Sequence, residues 1–434
     1  MSKIHELTRR QICRAAFLIA CLLPTTAVLA WGVTRRLPGR VAAHATELER
    51  ATGLHVTLGN VTYPRPGATL YHDLVLADPE TDAEMLRCRV LEAASDGQQW
   101  LLRASQVEVE AAQAPQLWET VERQLRQAPR DDNLPVRAVA WELTWHGPGG
   151  AQTITDLAAR LMSTETDRRA ELSFQLAGES NAEPVVVRAT RRRGEQPSTT
   201  NITLDTSNSF LPANIFGPLV DAGGWLGGHA RFRGKLSIDA RRAGWEGELT
   251  GQLDQIDLDA LVTAHFPHTL SGTAELRVDH ARLRGGRLVE AAVGITAGPG
   301  VVSRSLVASV ADTLHLAASA PLLAEPMLNF EQMAFEVTID GDGMRFLGVA
   351  PAEARGAMLV DVPRPGVRRA LWLQPEQQPQ PVVAVLRALV PQSEMQVPAN
   401  PESEWLIRHL PVPPLVAPAE ATARPPTVHL RGPR

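Results

Sequence analysis

The sequence predicts a mainly β protein: an elongated, curved antiparallel sheet, a trough or an open sandwich, with a few short helices and one transmembrane helix in front. Three observations predict it. Apolar and polar residues alternate at a period of two in segment after segment, which gives each strand one dry and one wet face. The 434 residues contain 33 prolines, 32 glycines and only 5% aromatics, a composition of turns and strand edges rather than of long helices. One uncharged stretch near the N-terminus is long enough to cross a bilayer.

That stretch is residues 15 to 34, AAFLIACLLPTTAVLAWGVT, preceded by Lys3, Arg9, Arg10 and Arg14. At a helical rise of about 1.5 Å per residue it spans roughly 30 Å. Phe17, Leu18, Ile19, Leu22, Leu23, Val28, Leu29 and Trp31 are its anchoring side chains. The basic cluster before it favours cytoplasm for the short end, so the bulk of the chain lies outside the cytoplasm. Val28-Leu29-Ala30 also suits a signal peptidase, and cleavage is the alternative to a retained anchor. Three cysteines form no disulfide framework; Cys13 and Cys21 fall in or beside this segment, and Cys88 reads as a small buried apolar residue.

Residues 37 to 52 carry a short helical pattern with Val41, Ala45 and Leu48 on one face, closed by Gly53. The period then becomes two. Leu54, Val56 and Leu58 alternate with polar neighbours, and Leu70, His72, Leu74 and Leu76 alternate with Tyr71, Asp73 and Val75 after the Tyr63–Gly67 turn. A helix follows Pro115, with Leu117, Val121 and Leu125 as its stripe. Val139, Trp141, Leu143 and Trp145 then form a strand face, as do Leu172, Phe174 and Leu176. Further along, the faces are Phe232, Leu236 and Ile238; Trp245, Leu249 and Leu253; Leu276 and Val278; and Met333, Phe335, Val337 and Ile339. A second short helix begins around Asp257. Of the prolines, 15 fall after residue 362, so that tail reads as extended, largely disordered chain with a short helix near Val382 to Val390 and a docked turn at Trp405 to Leu410. The organisation is therefore 1–35 anchor or signal segment, 36–222 and 223–362 β-rich regions, and 363–434 tail.

Chemistry-bearing motifs are few. With 43 Lys+Arg against 48 Asp+Glu, the net charge of −5 excludes a nucleic-acid binder led by phosphate neutralisation. There is no G-x-S-x-G, H-E-x-x-H, Walker loop or C-x-x-C, and nothing calls for a cofactor, a metal or catalysis. His265 and His268 flank a proline without a nearby cysteine; Asp254, Asp257 and Asp259, and Asp340-Gly341-Asp342-Gly343, lack the closing glutamate of a calcium loop. Arg191-Arg192-Arg193 is a basic turn, a solvated loop tip or a lipid-headgroup contact.

Two stretches resemble the AsmA-like (AsmA/TamB-type) envelope proteins. The first runs from Ala15 to about Pro79: an anchor, a short amphipathic helix, a hairpin shaped like Gly53-Leu54-His55-Val56-Thr57-Leu58-Gly59-Asn60-Val61, and the strand Gly67 to Pro79. The second runs from Gly223 to about Ser305, through Leu226-Gly227-Gly228, Arg233-Gly234-Lys235-Leu236, Gly247-Glu248-Leu249, Leu270-Ser271-Gly272 and Gly285-Gly286-Arg287-Leu288. The Pro-rich C-terminus and the middle depart from the family pattern. The resemblance implies a single-pass inner-membrane protein, its bulk in the periplasm, that moves or shields lipid in a β trough or supports outer-envelope biogenesis. Its partners would be membrane lipid and envelope proteins, with no nucleic acid. Shielding two acyl chains from water is worth on the order of 20 kcal/mol, which few surface patches supply. Two further readings stand beside this one: an envelope scaffold that recruits a partner through its Pro-rich tail, and an extracytoplasmic hydrolase with dispersed acids. The apolar faces either line an open trough or close on each other as a dry core.

Overall fold

The computed structural model describes residues 6–34, 39–126, 134–147, 150–164, 166–178, 183–192, 199–213, 225–241, 244–285, 287–318, 325–364, 367–390 and 409. The protein is mainly β, with large open sheet and few helices. Its residues form two compact units: Met1–Gly244 with Gly251–Ile256, and Trp245–Thr250 with Asp257–Arg434.

The first described residues are helical: α1 (Glu6–Phe17), a π turn (Leu18–Leu22) and α2 (Leu23–Thr34). Pro24 explains the π turn: its ring displaces the carbonyl one turn back and it has no N–H to give, so the ladder widens to a Leu23 N–H to Leu18 O bond. The Thr25 hydroxyl donates to Cys21 O at 2.6 Å and the Thr26 hydroxyl to Leu22 O at 2.9 Å, bonding carbonyls beside the interruption. Arg10–Leu29, 20 residues, is long and apolar enough to cross a membrane, with mean hydropathy 2.0 over an 18-residue window, none of which is buried. This span begins five residues earlier than the uncharged run. Phe17, Leu18, Ile19, Leu22, Leu23, Val28 and Leu29 are exposed, and Trp31 lies on α2.

Next comes α3 (Gly39–Thr52), which ends where Gly53 adopts φ +75 and its N–H bonds Glu49 O at 2.7 Å. The positive φ favours glycine there, and the Arg123 guanidinium lies against the position a Cβ would take. The first unit then runs through β1 (His55–Thr57), β2 (Asn60–Arg65), β3 (Ala68–Ala77), β4 (Glu84–Ser95) and β5 (Trp100–Glu110), then α4 (Ala114–Arg126). It continues through β6 (Val136–Gly147), β7 (Gly150–Ser163), β8 (Asp167–Leu176), β9 (Val185–Arg192), β10 (Thr200–Asp205), β11 (Leu211–Pro212) and β12 (Arg231–Arg241). Strands β1 and β2 share one side of β3, and the order from β3 is β3-β4-β5-β6-β7-β8-β9-β10-β12. Every one of these pairs is antiparallel except β5–β6, which is parallel because α4 carries the chain back to the starting end.

β13 (Gly244–Asp257) gives residues to both units. The second unit holds β14 (Leu270–Ser271), β15 (Thr273–Arg284), β16 (Arg287–Ala297), β17 (Gly300–Ser303), α5 (Arg304–Leu314), β18 (Ala317–Ala318), β19 (Met327–Phe330), β20 (Gln332–Asp340), β21 (Gly343–Gly348), β22 (Ala357–Arg364), β23 (Val367–Leu373) and α6 (Val383–Leu389). The order β15-β16-β20 leads to β21 and β22, both on β20, and then to β23 and β18; β14-β17-β19 is a small separate sheet. Here helices seal the core. The Trp372 Nε1–H donates to Val307 O at 3.1 Å, the Ser309 hydroxyl to Ala388 O at 2.7 Å, and Val302, Leu359 and Leu371 are fully buried.

Two boundaries differ from the sequence reading. Sheet continues through β22 and β23, past residue 362, and chain 374–380 covers the free side of β21: Gln378 bonds both backbone groups of Phe346, while Gln380 bonds those of Met344. Gln378 does this through its side-chain amide and Gln380 through its own backbone N–H and carbonyl. The expected short helix is α6; the tail beyond 390, including the turn at Trp405 to Leu410, lies outside the described residues apart from His409. The helix expected near Asp257 is the π turn Asp259–Thr263.

Candidate functional site

Cross-strand register sorts the first unit's side chains onto two faces. One face is polar. Arg65 and Arg103 flank Glu92 at 2.9 and 3.6 Å, Arg169 and Arg188 flank Glu171 at 2.7 and 3.0 Å, and Lys235 meets Asp205 at 2.8 Å. Burial alone would raise the Glu171 carboxyl, but the Arg188 and Arg169 guanidiniums outweigh it and hold it below the usual carboxylate range.

The other face is apolar over its whole width. At its near end, where β5 and β6 finish, Val107, Val109, Leu143, Ile154, Phe174, Leu176 and Val185 are all buried. Helix α4 covers this end. It begins directly after β5, its Leu125 is 3% exposed, and it touches β4 on one side and β8 and β9 on the other. Thirteen residues make a helix of about 20 Å, close to the roughly 19 Å between β4 and β8, so α4 lies across the strands. It is held at its C-terminal half by Gln124 Nε2 on Ala51 O at 2.7 Å and by Arg123 on Thr52 O. Helix α3 packs on β1 and β2, where His44 Nε2 meets the Tyr63 hydroxyl at 2.7 Å.

Beyond a transverse line of irregular residues, no described helix covers the sheet. Asp73, Gln106 and Asp156 have φ of 50, 52 and 50, on β3, β5 and β7. Their register neighbours Arg89, Trp141 and Glu142 fill the same line. A left-handed residue in a strand bends it and shifts the alternation by one. On the far side, two rows of seven residues run across β5 to β12. Trp100, Val136, Leu161, Ala170, Ala189, Ile202 and Ile238 form one; Leu102, Ala138, Ala159, Leu172, Val187, Leu204 and Leu236 form the other. Every member is apolar, only Ala189 and Leu204 are buried, and Trp100 is 43% exposed. Seven strands make this floor about 29 Å wide. No described helix packs on its centre.

The same line corrects the sequence reading at two places. Leu70 does not share a face with Leu74 and Leu76: it pairs with Glu92 on the polar side, and Tyr71 takes the apolar side, because Asp73 flips the phase. Trp141 does not point with Leu143 and Trp145; it is 79% exposed, and Ala138 and Ala140 hold the apolar side instead. Among the other residues expected on apolar faces, Leu54, Val56, Leu58, Leu74 and Phe232 are buried, while Leu76, Leu236 and Ile238 are half-buried. Trp245, Leu249 and Leu253 are half-buried too. In the second unit Leu276, Val278, Phe335, Val337 and Ile339 share one face by register, where Val278, Val337 and Ile339 are buried. On α4, Leu125 is buried but Val121 is 37% exposed.

The polar motifs act in turns and packing. Asp340 and Asp342 bind Arg345 in the β20–β21 turn, and Asp257 accepts from the Asp259 N–H. His268 is buried against Ser305, Nδ1 to Oγ at 3.0 Å, and burial pushes its imidazole below the usual range. Burial likewise pushes the Cys88 thiol up. No group of three His, Cys, Asp or Glu among the described residues is placed to hold a metal ion. No family model, curated protein or solved structure matches the chain.

Proposed function

We propose that this chain is a membrane-tethered, non-catalytic envelope protein of AsmA-like type, retained in the inner membrane with its bulk in the periplasm. In this reading it holds lipid acyl chains against the apolar sheet face or supports outer-envelope biogenesis. The observation that carries the reading is the far floor of the first unit. Two seven-residue rows without a polar member, mostly half-buried and with Trp100 exposed, form a continuous apolar surface on which no described helix packs. Acyl chains suit such a surface, since they adapt to any row of apolar side chains. The exposed apolar helix Arg10–Leu29 supports a site beside a membrane. The test is to extract the full chain in mild detergent, remove the detergent and quantify phospholipid by mass spectrometry. Stoichiometric phospholipid, lost when Leu172 and Val187 are both made Asp, is the expected result. A lipid-free, fully folded protein overturns the reading.

A further inference from the structure

The polar face of the first unit holds two arginines that no carboxylate engages. Arg137 on β6 lies between the floor residues Val136 and Ala138, and Arg160 on β7 lies between Ala159 and Leu161, so both belong to the side of the sheet opposite the floor. They are direct cross-strand partners, and both are exposed. Like charges in directly opposed positions repel, and adjacent strands stand only about 4.8 Å apart. Elsewhere on this face a carboxylate relieves the approach of basic groups: Glu92 lies between Arg65 and Arg103, and Asp205 meets Lys235. Arg160 does face Glu171 on β8, but that carboxylate is already held by Arg169 Nη2 at 2.7 Å and Arg188 Nε at 3.0 Å. Among the described residues neither Arg137 nor Arg160 has an ion-pair partner. Arg137, Arg160, Arg169 and Arg188 thus surround one carboxylate, and the two unengaged guanidiniums are the pair on β6 and β7. Two facing planar forks without an acceptor suit one tetrahedral oxyanion, which has oxygens enough for a parallel pair of N–H bonds from each. A phosphate or phosphomonoester carries about −1.5 to −2 at pH 7 and neutralises both guanidiniums, whereas a carboxylate neutralises one.

We propose that Arg137 and Arg160 together bind a phosphate group, whose oxygens accept N–H bonds from both guanidiniums and whose charge removes the repulsion between them. The phosphate arrives free in solution or as the monoester headgroup of a lipid, since both arginines are open to the surface. The site lies on the face opposite the apolar floor and stands independently of the lipid-handling reading above.

The experiment titrates the full chain, held in an uncharged detergent, with inorganic phosphate and separately with dihexanoyl phosphatidic acid, and follows the heat of binding. Saturable binding of at least one probe is expected, weakened about tenfold by Arg137→Gln and by Arg160→Gln, the scale of one charge-assisted hydrogen bond, and weakened further by added sodium chloride. Arg87→Gln, whose guanidinium is held by Glu84, should leave it unchanged. Where the binding that these two variants weaken is tighter for phosphatidic acid, the source is a lipid headgroup; where it is equal or weaker, the source is free phosphate, and either result supports the pair. Without phosphate, Arg137→Gln should keep or raise the thermal midpoint, because it relieves a repulsion. A lowered midpoint gives the pair a structural role and overturns the proposal. Absence of saturable binding of both probes overturns it too, as do titrations unaltered in both Gln variants, and phospholipid retained on the floor is untouched by any of these results.

Discussion

The two ends of the first unit's apolar face are made of the same residue types yet live in different surroundings. At the near end, Val109 is 4% exposed, Leu143 9% and Val185 fully buried under α4. At the far end, Val136, Leu161, Leu172 and Val187 are only half-buried. Composition does not separate them; the presence of one thirteen-residue helix does. A β-sheet face of valine, leucine and alanine is therefore not by itself a core. It becomes one only where a second layer arrives, and elsewhere it remains a surface able to receive something else.

The comparison breaks most directly by charge insertion. Val109→Asp places a carboxylate in the covered end and should lower unfolding free energy in urea by about 4 kcal/mol, whereas Leu172→Asp, with water at hand, should cost about 1 kcal/mol or less. Equal costs would mean the far end is sealed as well. Leu125→Ala removes the deepest anchor of α4 and should cost about 3 kcal/mol in the same assay, with amide exchange rising at β8 and β9. Asp73→Val tests the line dividing the ends: a β-branched residue held at φ 50 should cost about 1–2 kcal/mol, while Asp73→Gly should be close to neutral.

Two further measurements sharpen the contrast between sealed and open regions. His268 is depressed by burial, so below its ordinary value of about 6.5 the unfolded chain binds a proton that the folded chain does not. The stability it contributes is present above that value and is lost as the pH falls through it toward the folded pKa. Thermal midpoints should drop over that interval, and His268→Gln should shrink the drop. The smallest effect is chemical: Cys88, 2% exposed with its thiol raised by burial, should resist iodoacetamide in the folded chain and react in urea.

How legible was this arrangement? Strand faces such as Leu276 and Val278, or Phe335, Val337 and Ile339, could be read directly, because alternation is local and nothing interrupts it. Leu70 and Trp141 could not, since a left-handed Asp73 or Asp156 leaves no mark in a pattern of apolar letters. Asp at such a position is a usable signal: a short polar side chain tolerates positive φ, and an Asp within an apolar alternation is worth testing as a phase change. Neither Arg137 nor Arg160 stood out among the arginines, and their pairing depends on which residue of β6 faces which residue of β7.

The sequence by itself determined the β class, the apolar N-terminal helix, the amphipathic helices and the chemistry of the two sides of those strands whose alternation is uninterrupted, because these follow from periods of two and 3.6 residues acting over short distances. Tertiary structure alone decided which part of the apolar face α4 covers, where the alternation slips, and that Arg137 and Arg160 face each other while Glu171 is held by other arginines. Those depend on register and on the crossover between parallel β5 and β6, which are set by packing between segments far apart in the chain.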